Sequence, residues 1–351
     1  MTLIEVALPI RRAQELLAAA VQRVDDALDQ VAERIVRDVI GLSVRDDAGV
    51  PASPPTRAEP VATAGRSEYD DMITEFPLAL GYHRDTNWAV PEMWLEMTAG
   101  GIGAGTFVAS ALTGSVPGML IGYGLTVGVK GALLLLDLGR PERVWRVFAK
   151  PRTSWIARGS WAFAAFMLAG AVPVVAGLGG MSLAASAPLT ALALVASLVL
   201  LVYDGFFLNA SAGVEGWRSS VLPFFFGANA LATGAALTSA LLVNPPAALL
   251  QATAAAFLLA GALGYAYLAG VRGGPKSARV SEYELTQGGQ SVDFKVGAGV
   301  VGLAIPGAIA GLVAAGVLPA ALGALAAALG GVGVLYSRKA ILQAGVHAPT
   351  M

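Results

Sequence analysis

The sequence predicts an all-α, polytopic membrane protein: a helical bundle of about eight transmembrane helices behind a polar N-terminal extension that contains an amphipathic helix. Three observations predict it. Of the 351 residues, 56% are hydrophobic and 13% charged, with a mean hydropathy of +0.66, about half the charge of an ordinary soluble domain. From residue 88 onward, apolar runs of roughly 20 residues follow one another, each long enough to cross about 30 Å of hydrocarbon. The basic residues collect on alternate connections between those runs.

The predicted organisation is an extension over 1–87, a transmembrane domain over 88–340 and a tail over 341–351. Within the extension, Ile10, Leu17, Val21, Val24, Leu28, Val31 and Ile35 recur at spacings of three, four or seven, the narrow apolar stripe of an amphipathic helix. Such a helix lies on the protein or membrane surface, or docks a partner subunit. Residues 46–66, rich in Pro, Ala and charge, read as a linker. Residues 67–87 mix acids and aromatics ahead of the membrane and read as a contact segment. The N-terminus is polar and mixed in charge, unlike a secretory signal.

The spans are expected at 90–112, 117–138, 159–179, 183–204, 221–243, 246–270, 296–316 and 318–337. Trp88, Trp94, Trp155, Trp161 and Trp217 fall near proposed ends, where interfacial aromatics sit. All Lys and Arg except Lys130 lie in the extension, in the 2–3, 4–5 and 6–7 connections or, as Arg338 and Lys339, just after the last span. The other connections, near Thr113–Val116, Gly180–Ser182, Asn244–Pro246 and Val317–Leu318, carry no charge. The positive-inside rule therefore puts both termini and the 2–3 connection in the cytoplasm; the plasma (inner) membrane of a prokaryote is the expected location. Gly100, Gly101, Gly103 and Gly105 in span 1, with Gly122, Gly124 and Gly128 in span 2, let helix backbones approach closely or leave room for a flat ligand.

The chain has no cysteine, so it holds no iron–sulfur cluster and no disulfide. Its two histidines, His83 and His347, lie outside the apolar runs, which argues against a transmembrane haem. A net charge of −1 argues against nucleic-acid binding. The 2–3 connection, 136–159, carries Arg140, Arg143, Arg146, Lys150, Arg152 and Arg158 with Trp145 and Trp155 between them. It suits anionic lipid heads or an acidic partner.

Ionisable groups inside a membrane are costly and usually functional. Glu92 and Glu96 are four apart on one face of span 1, and Lys130 and Asp137 seven apart on one face of span 2. Tyr203 and Asp204 close span 4. Three spans thus bring acids and a phenol to one depth, while spans 5–8 offer almost nothing ionisable inside. A quinone head group fits this chemistry: its oxygens need hydrogen-bond donors, and its redox cycle moves two protons with two electrons. The bland alternatives are an Asp137 paired with Lys130, Arg140 or Arg143, an exposed interfacial Glu92, a Tyr203 of the aromatic belt and an Asp204 in the following loop.

The stretch Leu136–Trp161, LDLGRPERVWRVF…PRTSWIARGSW, resembles the signature loop of the NrfD / polysulfide reductase membrane-subunit family. The glycine-rich MWLEMTAGGIGAGTF of span 1 and VYDGFFLNA at the end of span 4 are similar to segments of that family, and the likeness covers about residues 88–220. It implies an eight-helix anchor that binds menaquinone or ubiquinone, with Tyr203 and Asp137 at the quinone. It further implies a four-cluster ferredoxin-like iron–sulfur partner, often with a molybdopterin-type catalytic subunit. The expected function is then the quinone-reactive membrane subunit of a respiratory oxidoreductase complex, inactive alone. Asp137, Glu96 and Lys130 would carry protons or tune them, and Tyr203, Asp137, Glu92, Glu96, Trp94 and Arg140 would surround the quinone. The rivals are a secondary transporter using the same charges, disfavoured because they sit in the first half, and an anchor without quinone chemistry. With no polar path visible beyond Lys130, no proton pumping is expected.

Overall fold

The structure, a computed structural model, describes residues 83–84, 90–137, 141–211 and 213–347, together with Ala19, Arg23 and Gln30, three exposed helical positions of the extension. The apolar stripe of the extension, the linker, most of the contact segment, Trp88, Arg140 and the last four residues lie outside the described residues.

Helix α1 covers Pro91–Thr113. Helix α2 begins as Val116–Tyr123, widens into a π-helical stretch, Gly124–Lys130, and ends as Gly131–Asp137. Then follow α3 (Trp155–Leu178), α4 (Ala187–Asn209), α5 (Leu222–Leu241) and α6 (Ala247–Arg272). A short polar helix, α7 (Lys276–Thr286), links these to α8, which starts π-helical over Asp293–Ala304 and continues as Ile305–Ala314. Helix α9 covers Gly323–Gln343. Seven of the helices among the described residues are long and apolar enough to cross a membrane, which makes this a multi-pass membrane bundle.

Helix α1 has the length, 23 residues, but its Gly, Thr and Glu content leaves it out of those seven. It lies at the centre instead, buried along most of Trp94–Ser110 and packed on α2, α4, α5 and α9, so it needs no apolar face for lipid. Its ends are set locally: Pro91 fixes the first turn and Gly114, at φ 72°, closes the last. Ser115 and Ser154 cap α2 and α3, their hydroxyls accepting from Gly118 and Ala157 N–H at 3.3 Å each.

The helix boundaries follow the sequence reading at most ends and depart from it at two that matter. Helix α4 runs on to Asn209, because Phe206, Phe207 and Leu208 continue the apolar pattern. Helix α9 runs on to Gln343, carrying Arg338 and Lys339 inside the bundle, not in a tail.

The charged connections do gather at one end. There Tyr267 Oη donates to Gly216 O at 2.9 Å, Trp217 Nε1 donates to Ile341 O at 2.8 Å, and the two-residue strands β1 (His83–Arg84) and β2 (Val346–His347) pair antiparallel. Trp94 and Trp217, expected at the interface, are each 1% exposed in the core of this end. Deeper in, glycines join the helices. A Cβ on Gly105 would strike the Ala230 carbonyl and one on Gly234 the Thr106 backbone, so α1 and α5 touch main chain to main chain.

Candidate functional site

Four central helices each deliver one charge to the same depth. Glu96 is five residues inside the start of α1, Asp204 five before the end of α4, and Arg338 five before the end of α9. Lys130 is seven residues before the end of α2. By helical rise these lie about 8–10 Å below the charged end of the bundle.

Lys130 is ion-paired with Glu96, and its Nζ donates to Asp204 Oδ1 at 3.2 Å. The side chains of Lys130, Glu96 and Asp204 are 4%, 8% and 3% exposed. The Lys130 ammonium also lies 5.7 Å from the centre of the Tyr203 ring. Arg338 is fully buried 4.7 Å over the Phe226 ring and donates to Val334 O at 3.2 Å. It interacts electrostatically with both Asp204 and Glu96. Two carboxylates are thereby balanced by two cations, as burial of charge demands. Asn229, beside this cluster on α5, donates to Ser337 Oγ at 3.3 Å.

Small residues leave the room these side chains need. A Cβ on Gly100 would collide with the Lys130 stem, one on Gly159 with the Tyr203 ring, and one on Gly101 would come within 2.7 Å of Arg338 Nη2. The space that the glycines of α1 keep open is thus filled by the protein's own side chains.

A pocket of about 360 Å³ opens on the charged end next to this cluster, walled by Thr153, Ser154, Trp155, Phe207, Ser211 and Trp217. Phe207 connects the two, its ring 6.1 Å from that of Tyr203. The Trp155 indole stacks on Phe206 at 4.6 Å with 3° between the planes, and the Arg158 guanidinium covers its other region at 4.4 Å. The pocket therefore has aromatic walls and hydroxyls, and the Glu96–Lys130–Asp204 network lies one aromatic layer behind it.

Of the expected site residues, Glu96, Lys130 and Tyr203 come together, and Glu92 is half-buried one turn nearer the charged end. Trp94 is buried, and its indole N–H has no partner among the described residues. Asp137 is the last residue of α2, with its side chain outside the described residues. The expectation of a loop Asp204 is corrected: it is helical, 2% exposed and bonded to Lys130. Lys130 bridges Glu96 and Asp204, while the pairing of Asp137 with Lys130, Arg140 or Arg143 falls on a side chain outside the described residues. The second half is not empty of charge either, since α9 supplies Arg338, and Lys339 pairs with Asp293 at the start of α8 at 3.3 Å. The signal for this was Ala340-Ile341-Leu342, an apolar run that continues the helix past the two basic residues.

Arg338→Met should lower the stability of the detergent-solubilised chain by about 3 kcal/mol, by leaving one buried carboxylate charge uncompensated. Thermal unfolding of the variant beside Arg338→Lys checks this; equal melting of Arg338→Met and the parent would show that the guanidinium balances nothing. No family model matches this chain, and no curated protein matches it.

Proposed function

We propose that this chain is the quinone-binding membrane subunit of a respiratory oxidoreductase complex, in a prokaryotic plasma membrane with its charged end in the cytoplasm. The observation that carries the reading is the Glu96–Lys130–Asp204 network, set one aromatic layer behind a ring-sized pocket. The positive-inside distribution of Lys and Arg supports the orientation, and the likeness of Leu136–Trp161 to the NrfD signature loop supports the family.

Reducing a quinone to a quinol takes two electrons and two protons. The chain has no cysteine for a cluster, so the electrons come from a partner, an iron–sulfur subunit docked on the basic 2–3 connection, itself joined to a molybdopterin-type enzyme. The chain's own residues bind and protonate. Trp155, Phe207 and Trp217 offer flat walls for the ring. The Tyr203 hydroxyl donates to a quinone oxygen, Glu92 lines the approach, and Trp94, whose N–H has no partner among the described residues, backs it. Glu96 and Asp204 hold the protons and Lys130 holds both carboxylates in place; Asp137 and Arg140 join the site on the strength of the family resemblance alone.

Tyr203→Phe should raise KM for quinone about fivefold with kcat and melting temperature little changed, as loss of one hydrogen bond of about 1 kcal/mol does. Steady-state turnover of the whole complex with a soluble quinone analogue measures it; an unchanged KM would remove Tyr203 from the site. The reading as a whole is tested by purification in mild detergent with mass spectrometry of co-purifying subunits and quinones. A single polypeptide without quinone would defeat it.

A secondary transporter is the second reading, and one observation now favours it more than the sequence did. The buried charges come from both halves of the chain, through Arg338 and the Lys339–Asp293 pair. Substrate-dependent ion flux in proteoliposomes of the lone chain would decide for it.

A further inference from the structure

A second cavity, about 740 Å³, runs along the outside of the bundle between α6 and α8, away from the charge network. Its walls are apolar and largely small: Gly261 and Gly264 on α6 and Gly299 and Gly307 on α8, with Phe257 and Leu303 between them. On α6 it extends from Ala254 to Leu268, about 21 Å of helix, more than half of a 30 Å hydrocarbon layer. A hydrocarbon chain laid lengthwise matches a slot of this length and apolar lining.

Polar groups sit on it toward the charged end alone. Lys295, two residues into α8, lines the groove and is exposed, and Tyr265 on α6 is 77% exposed. Among the described residues, Asp293 pairs with Lys339 and Glu282 with Arg272. An ammonium at headgroup level above a phenol set deeper along the same slot matches an amphiphile with a negative, acceptor-rich head and a long chain. A quinone offers Lys295 no charge to pair with.

We propose that the α6–α8 groove is a binding site for one anionic phospholipid of the charged-end leaflet, its phosphate on Lys295, an ester carbonyl within reach of Tyr265 and one acyl chain along the glycine-lined slot. The site is independent of the quinone reading, because none of its residues belongs to the charge network or to the aromatic pocket.

The test is native mass spectrometry of the full chain, delipidated in detergent and titrated with phosphatidylglycerol or with phosphatidylcholine of the same acyl chains. One phosphatidylglycerol should bind in preference. Lys295→Gln should reduce that preference about fivefold, the effect expected of one basic group at a membrane surface. Gly261→Leu, whose side chain enters open space in the groove, should weaken both lipids. Tyr265→Phe should weaken both lipids less and leave the headgroup preference unchanged. Equal binding of the two lipids, a preference that survives Lys295→Gln, or isoprenoid quinone displacing the phospholipid would each overturn the proposal.

Discussion

Lys130→Met is expected to abolish quinone turnover and to lower stability by about 3–5 kcal/mol, the largest effect of any single substitution in the site. Lys130 is the shared partner of Glu96 and Asp204, and all three side chains are under one-tenth exposed. Removing one member of a buried ion cluster costs that much because the carboxylates stay buried without compensation. The site's chemistry can be separated from its stability. In Glu96→Gln/Lys130→Met the buried charges that remain, Asp204 and Arg338, still balance, and replacing a buried ion pair by neutral groups of similar volume is close to neutral. That double variant should regain most of the lost melting temperature while turnover stays absent. Turnover recovered along with stability would mean that the network holds the bundle together and moves no protons.

Gly234→Val is expected to cost 3 kcal/mol or more in detergent and to impair turnover, although residue 234 touches none of the site residues. A Cβ there would fall on the backbone of Gly105 and Thr106, which cannot rotate away as a side chain could. Overpacking ordinarily costs about 1–3 kcal/mol, and more where backbone must shift. Helix α1 would be pushed off α5, and α1 carries Glu96. The control is Gly261→Ala, where an added Cβ meets nothing within 4 Å. Thermal melts of the two variants should separate widely; a Gly234→Val protein that melts with the parent would show that the α1–α5 seam is slack.

The spans were legible because each has to be apolar over a bilayer's thickness, and the common charged end because basic residues are expensive to translocate. Glu96 and Lys130 stood out for the same reason: no other cause puts an acid and an amine in such runs. What escaped was whatever depends on partners far apart in sequence. Asp204 read as a loop residue because a carboxylate at the end of an apolar run ordinarily marks its edge, yet Lys130, 74 residues away, lets α4 continue past it. Arg338 and Lys339 read as a tail by the same logic, and acids on α1, α4 and α8 offset their charge inside the bundle. Trp94 and Trp217 read as interfacial because the rule counts distance from a helix end and takes no account of what other chain segments fold over that end.

The π-helical stretch Gly124–Lys130 has a consequence for how this site can be inherited. A wide turn accommodates a residue that a regular α-helix would not, and one residue is worth about 100° of rotation. Losing any one of the six positions ahead of Lys130 would leave hydropathy, topology and nearly all composition as they are. Yet relative to the segment before it, everything after the gap would turn by more than a quarter of a circle, carrying the ammonium at its end away from Glu96 and Asp204 and toward a neighbouring helix or the lipid. The site is thus written in a residue count as much as in residue identities, and two chains that differ there by a single gap could look alike at every other position and share no chemistry.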